Sequence, residues 1–236
     1  MRYRQFKEDL EQHCPCRIKL YEFPGFGDTP ARYKKNILDH YEADMRQYLA
    51  GHDFDGIIAH SMGANIALKA ALGTTNLLLL SPVYNGLAYL KPFTVFYPFA
   101  PSLIRVLQSP FTGCRYLIRL CSLPTVNHFA AMDRQLIEDV RKADPQTAAR
   151  VLSELIYDHK RVQPTPGRSR VSLLLGQKDR VIPPKSVAML KNDLGGCPAA
   201  VLSGTGHTPV LENYKELRET VTDWIISLPS PKTKNP

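Results

Sequence analysis

An apolar run that stops at one serine and passes straight into a helix-forming stretch constrains this chain more than any other segment: Gly56-Ile-Ile-Ala-His-Ser61-Met-Gly-Ala-Asn-Ile-Ala-Leu68. A short β-branched and apolar run followed by alanine-rich sequence reads as a buried strand feeding a helix, the unit of a parallel α/β sheet. Ser61 falls on the turn between them, with its hydroxyl pushed out of the fold. Ala59 and Gly63 flank it at minus two and plus two, as expected of a turn too tight for larger side chains. The same turn aims the first N–H groups of the helix, Met62 foremost, at the space above the hydroxyl, where a tetrahedral oxyanion is stabilised. The first chemistry this spacing suggests is acyl transfer.

Serine is a weak nucleophile until a base takes its proton, and that base needs a carboxylate to orient it. Candidates for both lie downstream. Val171-Ser-Leu-Leu-Leu-Gly-Gln-Lys-Asp179-Arg-Val-Ile-Pro-Pro184 reads as a buried strand, a polar turn and a proline-started helix. Val201-Leu-Ser-Gly-Thr-Gly-His207-Thr-Pro-Val-Leu-Glu212 repeats the logic, with one histidine in a glycine-rich turn. Taken singly, such an aspartate is an ordinary turn former or N-cap, and such a histidine a solvated loop residue. Together with Ser61 they fall at the same ends of three strand-helix units, where parallel sheets place reactive groups.

With these residues in place, the sequence resembles the alpha/beta hydrolase superfamily, in particular its serine esterases, lipases, thioesterases and carbon-carbon bond hydrolases. Four segments carry the resemblance: Phe23-Pro-Gly-Phe-Gly-Asp-Thr-Pro30, similar to the loop after the family's fourth strand; Ala59-His-Ser-Met-Gly63, similar to its nucleophile elbow with alanine for the first glycine; and the Asp179 and His207 segments, similar to its acid and base loops. The resemblance covers most of residues 1–85 and 165–228. It implies a mostly parallel sheet flanked by helices, with Ser61 as nucleophile, His207 as general base, Asp179 as its orienting acid and the Met62 N–H as one oxyanion donor. A serine at the elbow separates the chain from relatives with aspartate there, the dehalogenases and epoxide hydrolases. The substrate implied is a small carboxylic ester or thioester, without cofactor or metal.

The same resemblance implies an N-terminally truncated sheet. Tyr3, Phe6 and Leu10 give Arg2 to His13 one apolar helical face, fitting the helix after the family's oxyanion loop, and Cys16 to Phe23 then reads as the next strand. The strand the family places between those ending here at Phe23 and His60 has no counterpart. Between Gly27 and Ser61 there is room for one helix, about Ala31 to Ala50, and one strand. Two readings stay open beside the working enzyme: a compact variant using Pro24 to Gly27 as its oxyanion loop, and an inactive truncated hydrolase or non-catalytic binding module.

At 236 residues and 44% hydrophobic content the chain supports one globular unit. Residues 1–84 and 166–228 are expected to form the hydrolase core, 85–165 a helical cap insertion and 229–236 a disordered tail. The first half of the cap, Lys91 to Leu107, is rich in aromatics and prolines and reads as the underside of a lid. It is too short and proline-broken to cross a bilayer. A net charge of +8 comes from basic residues scattered among acids, not from a stripe with stacking aromatics, so no nucleic-acid partner is expected. Gly25-Phe-Gly27 lacks the rest of a dinucleotide-binding pattern. Cys14, Cys16, Cys114, Cys121 and Cys197 lack zinc-site spacing and read as free thiols. With no apolar leader behind Met1, a cytoplasmic protein is expected. Strand alternation turns His60 away from the mouth of the site, as a packing residue.

Overall fold

Successive leucines of the run Asn76–Leu80 point to opposite faces of one sheet, and this period of two organises the core. The structure, a computed structural model, describes residues 2–86, 102, 105, 106, 141–163 and 170–229. Most of the expected cap, nearly all of its aromatic first half, and residues 230–236 of the expected tail lie outside the described residues. The elements are α1 (Arg2–His13), α2 (Ile37–Ala50), β1 (Gly56–His60), α3 (Met62–Ala71), β2 (Asn76–Leu80), α4 (Pro145–Tyr157), β3 (Val171–Gly176), α5 (Pro184–Asp193), β4 (Ala199–Leu202), α6 (Pro209–Glu212) and α7 (Tyr214–Ile226).

The four strands form one parallel sheet in the order β1-β2-β3-β4, with His60 opposite Leu80, Leu80 opposite Leu174 and Gly176 opposite Leu202. Leu77, Leu79 and Leu173 face one side and pack with Ala64, Leu68 and Ala71 of α3 and Leu190 of α5. Leu78, Leu80 and Leu174 face the other, against Phe6 and Leu10 of α1 and Leu217 and Val221 of α7. A parallel sheet covered on both faces needs continuous apolar strands rather than alternating ones. The Leu77–Leu80 run supplies the central one.

A second layer lies over α3. Ile37, Tyr41 and Met45 of α2 pack with Ile66 of α3 and with Val151, Leu155 and Ile156 of α4. Asp144 caps α4 by accepting from the Thr147 N–H at 2.7 Å, ahead of Pro145 at the first helical position. Helix α2 begins later than the expected Ala31. Asn36 just before it adopts φ 49°, a left-handed conformation that asparagine tolerates and that ends any helical path from residue 31.

Cys16 to Phe23 is not a strand. The segment joins no ladder, because β1 borders the sheet and no described strand lies between it and this segment. Its aromatic side chains bind it to α2 instead. Tyr21 packs on Tyr48 with centroids 5.0 Å apart and Phe23 on Tyr41 at 4.9 Å, while the Ile18 N–H donates to Glu11 at 2.6 Å. Among the described residues, no helix is long and apolar enough to cross a membrane. Cys14, Cys16 and Cys197 are free thiols.

Candidate active site

Serine at the position before a helix normally turns its hydroxyl back to cap the first N–H groups. Ser61 does not: it sits at φ 53°, ψ −118° and makes no side-chain cap to α3. Backbone in this sparsely populated region costs on the order of 1–3 kcal/mol. It is held there by the Ser61 N–H to Leu80 O bond at 2.9 Å, which extends the β1–β2 ladder, and by the Asn65 N–H to Ser61 O bond at 3.2 Å, which starts α3. The hydroxyl, freed from capping, faces His207. The strain resides in Ser61 rather than in crowding at Gly63, where an added Cβ would meet only the Phe23 ring edge at 3.7 Å, an ordinary contact.

Ser61, Asp179 and His207 come together at the C-terminal ends of the strands. His207 Nε2 lies 2.8 Å from Ser61 Oγ, and His207 Nδ1 lies 3.0 Å from Asp179 Oδ2. The other carboxylate oxygen of Asp179 accepts the N–H groups of Val181 and Ile182 at 2.8 and 2.9 Å. The His207 and Asp179 side chains are 6% and 5% exposed. Burial opposes charge on Asp179, but the hydrogen bond and charge of His207 and the Ile182 N–H outweigh it and hold the carboxyl below its usual range. An ionised carboxylate on Nδ1 fixes the imidazole tautomer that leaves Nε2 free to take a proton.

The His207 loop has far to travel. It leaves β4 at the sheet's far edge and ends above β1, three strand spacings of about 4.8 Å away. On the way it lies directly on β3. A Cβ at Gly176 would come within 2.6 Å of Thr205 O and closer still to Gly206 O, so only glycine admits the crossing. The Lys178 N–H donates to Thr205 O at 2.7 Å and the Gly206 N–H to Glu212 at 2.7 Å. His60 meets the loop at its end, Nε2 lying 2.7 Å from His207 O with the two rings 5.0 Å apart. Sequence reasoning took His60 for a packing residue facing away from the mouth. The 147 positions between the partners left no local signal of this bond.

Met62 opens α3 directly after Ser61, so its N–H has no carbonyl one turn earlier in the helix to serve. The loop Pro24 to Gly27 offers less to an oxyanion. Its Gly25 and Phe26 N–H groups donate to Thr29 O and Phe23 O, and the following Asp28 N–H donates to Glu22. Gly25, at φ 88°, presses on Thr147 of α4, where a Cβ would lie 2.6 Å from the threonine methyl. This loop thus braces α4. Among the described residues no group of three or more His, Cys, Asp or Glu is placed to hold a metal.

Residues 3–220 match the model of the Alpha/beta hydrolase family. Among solved structures, the chain is similar to the esterase EaEST from Exiguobacterium antarcticum, with a TM-score of 0.70 at 15% identity over 96% of this chain and 87% of that one. It is also similar to a malate-bound thermophilic esterase from Thermogutta terrifontis, with a TM-score of 0.62 at 15% identity over 87% and 78% of the two chains. MenH from S. aureus gives a TM-score of 0.63 at 15% identity, over 87% and 81%. No curated protein matches the sequence significantly.

Proposed function

The chain belongs to the alpha/beta hydrolase family, and on that premise we propose that it cleaves a carboxylic ester or thioester through an acyl-enzyme formed on Ser61. The observation that carries this reading is the unbroken run from Ser61 Oγ to His207 Nε2 at 2.8 Å and from His207 Nδ1 to Asp179 at 3.0 Å, with the Asp179 oxygens fully engaged.

In this mechanism Ser61 Oγ attacks the carbonyl carbon as His207 Nε2 takes its proton, and Asp179 stabilises the imidazolium that results. The carbonyl oxygen, now an oxyanion, turns toward the Met62 N–H. As the tetrahedral adduct collapses, its bond to the alcohol or thiol breaks and the imidazolium returns the proton to that leaving group. Water, activated by the same base, then attacks the acyl-Ser61 ester and releases the acid. The structures similar to this fold that are named esterases support an ester as substrate class.

A second reading, a non-catalytic binding module, is favoured by one observation: the N–H groups of Gly25, Phe26 and Asp28 are already bonded to Thr29, Phe23 and Glu22, so these three are not available as a second oxyanion donor. Losing one such donor typically costs about a hundred- to a thousand-fold in rate. Intact-mass analysis after fluorophosphonate treatment separates the two. Stoichiometric labelling of the wild type that is lost in Ser61→Ala is the expected result, to be followed by an ester and thioester screen. A folded wild type that stays unlabelled would overturn the acyl-enzyme reading and leave the binding module.

A further inference from the structure

A carbonyl oxygen only accepts hydrogen bonds, so the 2.7 Å contact between His60 Nε2 and His207 O requires the proton to be on Nε2. His60 is the last residue of β1, next to Ser61, and β1 is held in register along its length by β2. Its ring is therefore a rigid donor fixed to the strand that presents Ser61. His207 belongs to a loop that starts at the opposite edge of the sheet. Before His207 the loop is held by Lys178 N–H to Thr205 O, Gly204 N–H to Gln177 and Gly206 N–H to Glu212, and after it by Val210 packed in the core against α1 and α7; the bond from His60 is the one that reaches the His207 backbone from β1.

We infer that His60 is a positioning residue for the base: its Nε2–H pins the carbonyl of His207 to the end of β1 and thereby sets the imidazole between Ser61 and Asp179. This rests on the reading of Ser61, His207 and Asp179 as the reacting group. The bond ties base to nucleophile through the backbone, independently of the bond between their side chains. Misplacement of a reacting group by about 1 Å is enough to cost about a hundred-fold in rate.

The donor must also stay uncharged. A cation 5.0 Å below the base would oppose the imidazolium that His207 forms when it takes the serine proton. The groups facing the His60 ring are Tyr3 of α1, with centroids 6.1 Å apart, His207, and the Asp179 carboxylate beyond it. Burial, seconded by repulsion from His207, pushes His60 down to about 3, against the opposing pull of the His207 carbonyl and Asp179. The ring is neutral wherever the enzyme would work.

The test compares wild type, His60→Phe, which keeps a ring but removes the donor, and His60→Gln, whose amide N–H restores one. Fluorophosphonate labelling of Ser61 is expected to slow about ten- to a hundred-fold in His60→Phe and to recover most of that loss in His60→Gln. Turnover, once an ester is found, should lose kcat with KM nearly unchanged. Proton and nitrogen NMR of histidine-labelled protein supplies a readout that needs no catalysis. In wild type and in Ser61→Ala, His60 should appear as a neutral Nε2–H tautomer throughout pH 5–8. The low-field Nδ1–H resonance of His207 against Asp179 should be sharp in both, broadened in His60→Phe and restored in His60→Gln. A His60 ring that titrates in that range would overturn the inference, as would a His207 resonance and labelling rate unchanged in His60→Phe. If His60→Phe does not fold, the wild-type tautomer and the glutamine variant still decide. An unlabelled wild type with the expected NMR behaviour would count against the catalytic reading while leaving the positioning bond standing.

Discussion

Leu77–Leu80, wholly apolar, and Ile18–Phe23, apolar but for Lys19 and Glu22, both read as strands in the sequence, yet one is the centre of the sheet and the other is not a strand. Leu77 to Leu80 are all buried, two on each face, with β1 on one side and β3 on the other taking up their backbone groups. In the second run Leu20 is 44% exposed, Ile18 packs under α1 and α7, and Tyr21 and Phe23 turn onto α2. The difference shows that side-chain pattern settles what is buried, whereas a neighbouring strand settles what is a strand. The loops bearing Ser61, Asp179 and His207 all grow from strands paired in the sheet, β1, β3 and β4.

Moving a loop off its strand should break this contrast most severely. Gly176→Val drives a side chain into the backbone of Thr205 and Gly206, so Ser61 labelling should fall by about a hundred-fold or more, measured against circular dichroism to verify the fold. The next largest effect lies in the core. Leu79→Ala, at a fully buried site, should cost about 2–5 kcal/mol in urea unfolding. The matched change Leu20→Ala in the unpaired run should stay within about 0.5 kcal/mol. Equal losses at the two positions would show that residues 18–23 are built into the core as firmly as β2.

A further effect concerns pH. His60 has its folded-state value pushed down to about 3 by burial, so between about pH 6.5 and 3 the unfolded chain binds a proton that the folded chain refuses. The stability this represents is complete above about pH 6.5 and is lost as pH falls toward 3, by at most about 1.4 kcal/mol per pH unit. Asp179, held low, weakens the fold only at more acid pH. Urea midpoints from about pH 6.5 down to 4.5 should therefore decline in wild type and decline less in His60→Phe. Parallel declines would mean that His60 protonates in the folded state without cost.

Much of this architecture is local, and local features are legible in a sequence. Apolar runs mark β1, β2 and β3; Pro184 marks the start of α5; the break after His60 marks the turn where Ser61 sits. Position at strand ends also singled out Asp179 and His207, because a parallel sheet sends the loops after its strands to one side. The structure brings the side chains of these three residues within hydrogen-bonding distance of one another. Gly63 was read as a steric requirement, but the demand falls on the Ser61 backbone instead, and φ is not written in residue identity.

Residue order thus sufficed for the family's alternating strands and helices and for the three residues at their ends, since each depends on neighbours a few positions away. Tertiary structure alone decided that Cys16 to Phe23 lies outside the sheet, that Gly176 must yield space to the Gly206 backbone, and that His60 holds the carbonyl of His207. Each of those depends on what lies across a gap of tens to more than a hundred residues, where the deciding quantities are an available ladder partner, a collision between backbones and a hydrogen bond. No periodicity in the chain encodes them.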